Sequence, residues 1–262
     1  MRYEELKRIA SSVPDIRGWD FSPVRMDCDP APWDYVEVVR RYLKPTDRVL
    51  DIGTGGGEVF LSLAPYFGVG VGIDTSNTML QVAQENTPES LKEKVSYRRM
   101  RSEALQFPDA SFDIVLNRHA TGFAEQVVRV LRPGGLYIEQ RVGDRNSQNI
   151  FTVFGWGSNG EYWRSVARDK GVVFQDSAML SDSFRQAGCA VIARGEYDVR
   201  CYFRDVESLI FDLKASPWPE DFDIEIHWRQ VGHLISQYST PRGIETNEHR
   251  ELLIVQKPLA AG

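Results

Sequence analysis

Between residues 48 and 140 the apolar positions switch repeatedly between two rhythms. Short apolar runs at Arg48–Ile52, Val69–Ile73, Val95–Met100, Phe112–Leu116 and Leu136–Gln140 predict five strands. Helical spacing fills the gaps. Val59, Leu61, Leu63 and Phe67 recur through Glu58–Phe67, and Ser76 stands where it can cap a helix carrying Met79, Leu80 and Ala83. Ala124–Leu131 predicts another helix, stopped by Arg132-Pro133-Gly134-Gly135. Upstream, Pro32 opens a helix through Trp33, Val36, Val39 and Leu43 that ends at Lys44-Pro45. Alternating strands and helices, with strands apolar on both sides, predict an α/β fold whose parallel sheet is covered on both faces.

The flanks are less regular. Residues 1–30 start with a short amphipathic stretch (Tyr3, Leu6, Ile9) and become loop-like around Pro14, Gly18, Pro23 and Pro30. Residues 143–180 scatter Phe151, Phe154, Trp156, Tyr162, Trp163 and Phe174 among glycines and charges. Ser181–Ala187 predicts a helix stopped by Gly188, and Ala190–Tyr202 a long strand. Residues 204–246 read as an insertion: a helix over Val206–Leu213, the Pro217-Trp218-Pro219 turn and a helix around His227–Tyr238. Arg250–Gln256 predicts the last strand. The expected organisation is one domain over 1–262, with an N-terminal arm over 1–31. Segments 143–180 and 204–246 are its aromatic-rich insertions, shaped as a substrate lid.

Composition narrows the function classes. The 262 residues carry 31 Lys+Arg against 37 Asp+Glu, a net charge of −6, which disfavours nucleic acid as the main partner. Thirteen Phe, ten Tyr and six Trp supply a core, so general disorder is excluded. No apolar run approaches the roughly 20 residues of a membrane span. The charged start MRYEELKRIA lacks a signal-peptide hydrophobic region. Cys28, Cys189 and Cys201 are odd in number and widely spaced, indicating neither a disulfide framework nor a zinc site. A cytoplasmic protein is expected. No histidine pair has metal-ligand spacing, and His227, His233 and His249 read as surface or packing residues.

The chemistry concentrates in Val49-Leu50-Asp51-Ile52-Gly53-Thr54-Gly55-Gly56-Gly57-Glu58, between a strand and a helix. Glycines there let the backbone turn sharply and approach a ligand, and a helix start offers free N–H groups to a carboxylate or phosphate. The spacing is G-x-G-x-G. A dinucleotide loop would carry Gly or Ala where this chain has Glu58, so a nicotinamide dehydrogenase is disfavoured. Asp74 closes the second strand, where a carboxylate can accept both ribose hydroxyls.

With VLDIGTGGGE (49–58), VGVGIDTSNTML (69–80), RSEALQFPDASFDIVLNRHA (101–120), VVRVLRPGGLYIE (127–139) and RELLIVQKP (250–258), the chain resembles the class I S-adenosylmethionine-dependent methyltransferases, closest to the small-molecule branch that includes quinone-biosynthesis C-methyltransferases. The resemblance implies a Rossmann-like sheet of seven strands in the order 3-2-1-4-5-7-6, the last antiparallel. It implies S-adenosyl-L-methionine as cofactor and S-adenosyl-L-homocysteine as product. Position by position, it places Asp51, Gly53, Thr54, Gly55 and Gly57 at the methionine moiety and Asp74 at the ribose. Thr75 and Met79 flank the adenine, Ser102 and Glu103 edge it, and Asn117 and Arg118 lie beside the sulfonium. Many relatives carry an acid where this chain has Arg101. Arginine has donors only and cannot accept from the adenine amino group, which leaves backbone or Glu103 for that contact.

His119, after the fourth strand, is the candidate for a base facing the acceptor; an inserted Tyr or acid is the alternative. The acceptor is expected to be a small molecule methylated on O, N or C. Asn117-Arg118-His119-Ala120 replaces the N-P-P-Y or D-P-P-Y that relatives use to hold a planar amino group. Two other readings stay open. An RNA-modifying enzyme would use the basic run Lys92, Lys94, Arg98, Arg99 and Arg101, and a non-catalytic protein would bind the cofactor without transferring its methyl group. Trp19 and Phe21 of the arm are candidates to close over the cofactor.

Overall fold

A computed structural model describes residues 1–15, 21–170, 174–216 and 222–259. Trp19 and the Pro217-Trp218-Pro219 turn lie outside the described residues. In chain order the elements begin α1 (Tyr3–Ser12), β1 (Met26–Cys28), α2 (Tyr35–Arg40), β2 (Arg48–Ile52), α3 (Glu58–Leu63), β3 (Val69–Asp74) and α4 (Asn77–Asn86). They continue with β4 (Val95–Arg99), β5 (Phe112–Arg118), α5 (Ala124–Val130), β6 (Leu131–Val142), α6 (Gln148–Val153) and α7 (Asn159–Asp169). The last are α8 (Ser177–Gln186), β7 (Ala190–Phe203), α9 (Val206–Ala215), α10 (Ile224–Tyr238), β8 (Ser239–Thr240) and β9 (Gly243–Gln256).

The chain divides into two compact units. The sheet unit comprises Pro32–Val142, Gln175–Glu196 and Glu251–Gly262; the aromatic unit comprises Met1–Ala31, Gly143–Phe174 and Tyr197–Arg250. Strands β7 and β9 contribute residues to both.

In the sheet unit the strands lie in the order β4-β3-β2-β5-β6-β9-β7. Numbered by appearance among these seven, that is 3-2-1-4-5-7-6, the order the resemblance implies. The pairs β2/β3, β2/β5, β3/β4 and β5/β6 are all parallel. Their register sets Ile52 beside both Ile73 and Asn117, and Asn117 beside Glu139, so the strand ends line up along one rim. That rim is where ligands bind in open α/β sheets. Alternation along the strands sends Leu50, Ile52, Val115 and Tyr137 into one apolar layer with Val127, Leu180 and Phe184. Val49, Ile114, Leu116 and Ile138 enter the opposite layer with Val39, Phe60, Leu63 and Phe67. Two buried faces explain why these strands read as continuous apolar runs.

In the aromatic unit Leu6 of α1, Phe151 of α6, Leu209, Ile210 and Leu213 of α9, and Val231 and Leu234 of α10 share one core. Phe154 stacks on Trp156, and Tyr162 sits 5.1 Å from Trp156. The glycine-interrupted segment after residue 143 thus forms two helices, α6 and α7, which hydropathy did not predict. The N-cap of α7 was present in the sequence as Ser158, whose hydroxyl accepts from the Glu161 amide.

The described residues contain nine strands where seven were expected. The extra ones are β1, antiparallel to β7, and β8, antiparallel to β9. Both have only two or three residues, too few for a periodicity to show. The number and spacing of the cysteines predict no disulfide framework, yet Cys28 and Cys201 form a disulfide. They face each other across β1 and β7, but 173 residues apart in sequence. Cys189 is free and buried. With Cys28 and Cys201 bonded, the cysteines no longer point to a reducing compartment. Among the described residues no helix is long and apolar enough to cross a membrane.

Candidate functional site

The glycine-rich segment leaves β2 as a tight loop folded onto the end of β3. Gly53 N–H and Thr54 N–H both donate to the Ile73 carbonyl at 2.9 Å, and Gly57 N–H closes a turn on the Thr54 carbonyl at 2.9 Å. Gly53, Gly55 and Gly57 have φ of 71°, 55° and 79°, left-handed values that disfavour residues carrying a Cβ. At Gly53 close approach adds to conformation, since a Cβ there would stand 2.4 Å from the Ala120 Cβ. The Thr54 hydroxyl is buried without a hydrogen-bond partner among the described residues. A buried polar atom left in this way commonly marks the place of an absent water, ion or ligand group. Behind the loop, Asn86 at the end of α4 donates to the Gly56 carbonyl at 2.9 Å.

Asp74 ties this loop to the next strand. One carboxylate oxygen accepts from Gly55 N–H at 3.1 Å, the other from Ser76 N–H at 2.9 Å. Each keeps capacity for one more donor. Ser76 caps α4 by accepting from Met79 N–H, as its sequence position predicts. Thr75 is exposed and its carbonyl accepts from Arg99, while Met79 is half-buried. Ser102 is half-buried, and exposed Glu103 pairs with Arg101. A hydrogen bond from its own backbone, with Arg101 adding to it, holds the Glu103 carboxyl below its usual range.

At the end of β5, Arg118 and His119 are exposed while Asn117 is fully buried. The Asn117 side chain serves its neighbours, accepting from Ala120 N–H at 3.0 Å and donating to the Tyr137 hydroxyl at 2.9 Å. His119 is one of three described non-glycine residues with positive φ, at 68°, and its N–H donates to the Gln140 carbonyl at 2.9 Å. Backbone strain of this kind gathers at functional positions. The structure thus brings together Asp51, Gly53, Thr54, Gly55, Gly57 and Asp74 through the loop, and Asn117 and His119 through the β5 turn. It adds Asn86, Tyr137 and Glu139, which sequence reasoning missed. A carboxylate inside the apolar run Leu136-Tyr137-Ile138-Glu139 was the one available signal.

Asp51 carries the strongest electrostatic signature here. Burial pushes its carboxyl up to about 7. The Thr54 hydroxyl and the Arg118 charge oppose that rise, whereas Asp74 adds to it. Between pH 3.8 and about 7 the folded protein therefore holds a proton at Asp51 that the unfolded chain has lost. Stability falls as pH rises through that window, by on the order of 4 kcal/mol from this group. Asp51→Asn removes the dependence. Its urea midpoint relative to the wild type is expected to climb from pH 4 to pH 7.5 in ligand-free protein. A difference that stays constant with pH contradicts the assignment. Asp212 of α9 is also pushed up to about 7 by burial, so only the comparison of the two proteins isolates Asp51.

The basic run is engaged locally. Lys92 pairs with Glu89, Lys94 lies over the Phe67 ring, Arg98 over Phe107, and Arg99 donates to the Thr75 carbonyl. Arg101 is held by Glu103. These contacts turn a run of charge in the sequence into separate local partnerships.

Residues 50–138 match the family model described as a methyltransferase domain. The chain is similar to the uncharacterized methyltransferase YcgJ of Bacillus subtilis, 36% identical over 98 residues, covering 35% of this chain and 39% of that protein. It is likewise 36% identical over 105 residues to the ubiquinone biosynthesis O-methyltransferase of Chelativorans, covering 37% and 41%. The chain thus spans about two fifths of the length of these curated relatives. Among solved structures, a Bacillus halodurans protein described as a methyltransferase has the same fold. Its TM-score is 0.61 at 19% identity, covering 85% of this chain and 98% of that one.

Proposed function

We propose, from the premise that this chain belongs to the class I S-adenosylmethionine-dependent methyltransferases, that it transfers a methyl group to a small-molecule acceptor at O, N or C by in-line displacement. The observation that carries this reading is the glycine loop pinned to Asp74. The rim there has three left-handed glycine turns, a buried Thr54 hydroxyl and a carboxylate with spare acceptor capacity. These features fit an adenosyl amino acid.

In the proposed assignment Asp51, Gly53, Thr54, Gly55 and Gly57 receive the methionine portion. Asp74 receives the ribose hydroxyls. Thr75, Met79, Ser102 and Glu103 surround the adenine, and Asn117 and Arg118 stand nearest the sulfur. When bound, the sulfonium supplies an already activated methyl group. What remains for the chain is alignment, which contributes up to about 7–11 kcal/mol through effective concentration. Excluding water strengthens the polar contacts that do the aligning. His119 is assigned the acceptor's proton, if the acceptor carries one. Its strained backbone, fixed through Gln140, supports that choice. The arm over 1–31 and the segments 143–180 and 204–246 are assigned to acceptor recognition, where Phe154, Trp156 and Tyr162 pack on one another.

Calorimetry with S-adenosylmethionine, S-adenosylhomocysteine and NAD tests the cofactor half. The first two are expected to bind and NAD is not. Methyl transfer from labelled cofactor to panels of phenols, amines and carboxylates tests the acceptor half. Binding of NAD alone overturns the reading. Salt-sensitive transfer to RNA in preference to every small molecule overturns the acceptor class.

A further inference from the structure

Three polar side chains lie in the apolar layer between β5, β6 and α8. Asn117 and Tyr137 are 0% exposed and Glu139 is 1% exposed. Phe184 of α8 packs against the Tyr137 ring at 4.9 Å, closing the space from one side. Asn117 and Glu139 stand side by side in the β5/β6 register. Asn117 Nδ2 donates to the Tyr137 hydroxyl at 2.9 Å and, at 3.4 Å, to Glu139 Oε1. The Tyr137 hydroxyl donates to the same Glu139 oxygen at 3.1 Å. Glu139 Oε2 has no hydrogen-bond partner among the described residues.

This is a poor way to gain stability. A buried carboxyl with one oxygen unsatisfied costs more than an apolar side chain of similar volume. What the trio supplies is direction. An amide side chain has one donating and one accepting end. With two acceptors behind Nδ2, the Asn117 amide can face only one way, so Oδ1 points at Ala120 N–H, 3.0 Å distant. That bond closes the turn in which His119 adopts its left-handed conformation. The turn in turn rests on the glycine loop, since the space beside Gly53 is taken by Ala120 Cβ. Just beyond it, a Cβ on Gly122 would stand 2.4 Å from the Tyr137 hydroxyl, so the chain passes directly over the trio.

We infer that Asn117, Tyr137 and Glu139 are positioning residues, a buried polar strut that orients the His119–Ala120 turn and seats Ala120 against Gly53 of the cofactor loop. The strut sets the separation between the loop and the turn that presents His119. Its functional half rests on the cofactor reading above; its structural half rests on these bonds alone.

The test uses the full chain, S-adenosylhomocysteine as probe, and residue-resolved amide exchange by NMR. Asn117→Ala removes the acceptor, so the Ala120 amide is expected to exchange at least about tenfold faster and the affinity to fall about tenfold. If Asn117→Ala does not fold, Tyr137→Phe removes a single buried oxygen and is read in the same two ways, with about threefold effects. Faster Ala120 exchange without loss of affinity overturns the positioning role and leaves a purely structural one. Unchanged Ala120 exchange overturns the strut itself. Failure of the wild type to bind the probe is a separate result. It sinks the cofactor reading and the functional half with it, while the exchange data still decide whether the strut holds the turn.

Discussion

Asp74→Ala is expected to weaken S-adenosylhomocysteine binding by at least about a hundredfold. Two losses combine in that figure. The Asp74 carboxylate accepts from Gly55 N–H and Ser76 N–H, so its removal takes both bonds away and leaves the loop held to β3 through Gly53 and Thr54 on the Ile73 carbonyl. The same two oxygens are the ones assigned to the ribose. Hydrogen bonds to a charged group contribute about 1.5–3 kcal/mol each, and two of them reach a hundredfold in affinity. Asp74→Asn keeps one acceptor oxygen but turns an amide donor toward Gly55 or Ser76, donor against donor. A loss of about tenfold is expected for it. Isothermal titration of folded, ligand-free variants measures both. An alanine variant that binds within threefold of the wild type removes Asp74 from the site.

Gly53→Ala carries the second large effect, on stability and binding together. Its φ of 71° costs an L-residue about 1–2 kcal/mol. The added methyl also meets Ala120 Cβ at 2.4 Å, and overpacking of that kind costs about 1–3 kcal/mol more. Urea denaturation is expected to show a loss of about 2–5 kcal/mol, with S-adenosylhomocysteine affinity reduced in the protein that remains folded. The two causes separate in a double variant. Ala120→Gly in the Gly53→Ala background relieves the contact but not the backbone strain, so it should return only the overpacking share. Full recovery assigns everything to the contact. No recovery shows that Ala120 does not press on the loop.

The parts of the site legible beforehand are those whose partners lie one element apart. Gly53, Gly55 and Gly57 follow directly on a strand, and Asp74 ends the next parallel strand, so adjacent strand ends alone bring the carboxylate to the loop. Ser76 announced the start of α4 through a bond to a residue three positions on. The limits of β6 and β9 were less legible. Strand β6 begins at Leu131, before Pro133-Gly134-Gly135, and β9 at Gly243, seven residues ahead of its apolar run. Backbone pairing extends a strand past the point where its side chains show a pattern.

By itself, the sequence determined the α/β alternation, the seven-strand order through its resemblance, and the loop-and-acid pair at the rim. Local spacing and the two-residue and 3.6-residue rhythms act over a few positions and are written wherever they act. Tertiary structure alone decided that Asn117 turns inward to Tyr137 and Glu139, that Cys28 meets Cys201, and that Lys94, Arg98 and Arg99 go to Phe67, Phe107 and Thr75. Each of the first two joins residues 20 or more positions apart, and the third depends on which neighbours packing sets beside each charge. Such meetings depend on which elements pack together and in what register, and no periodicity in a single strand or helix encodes that.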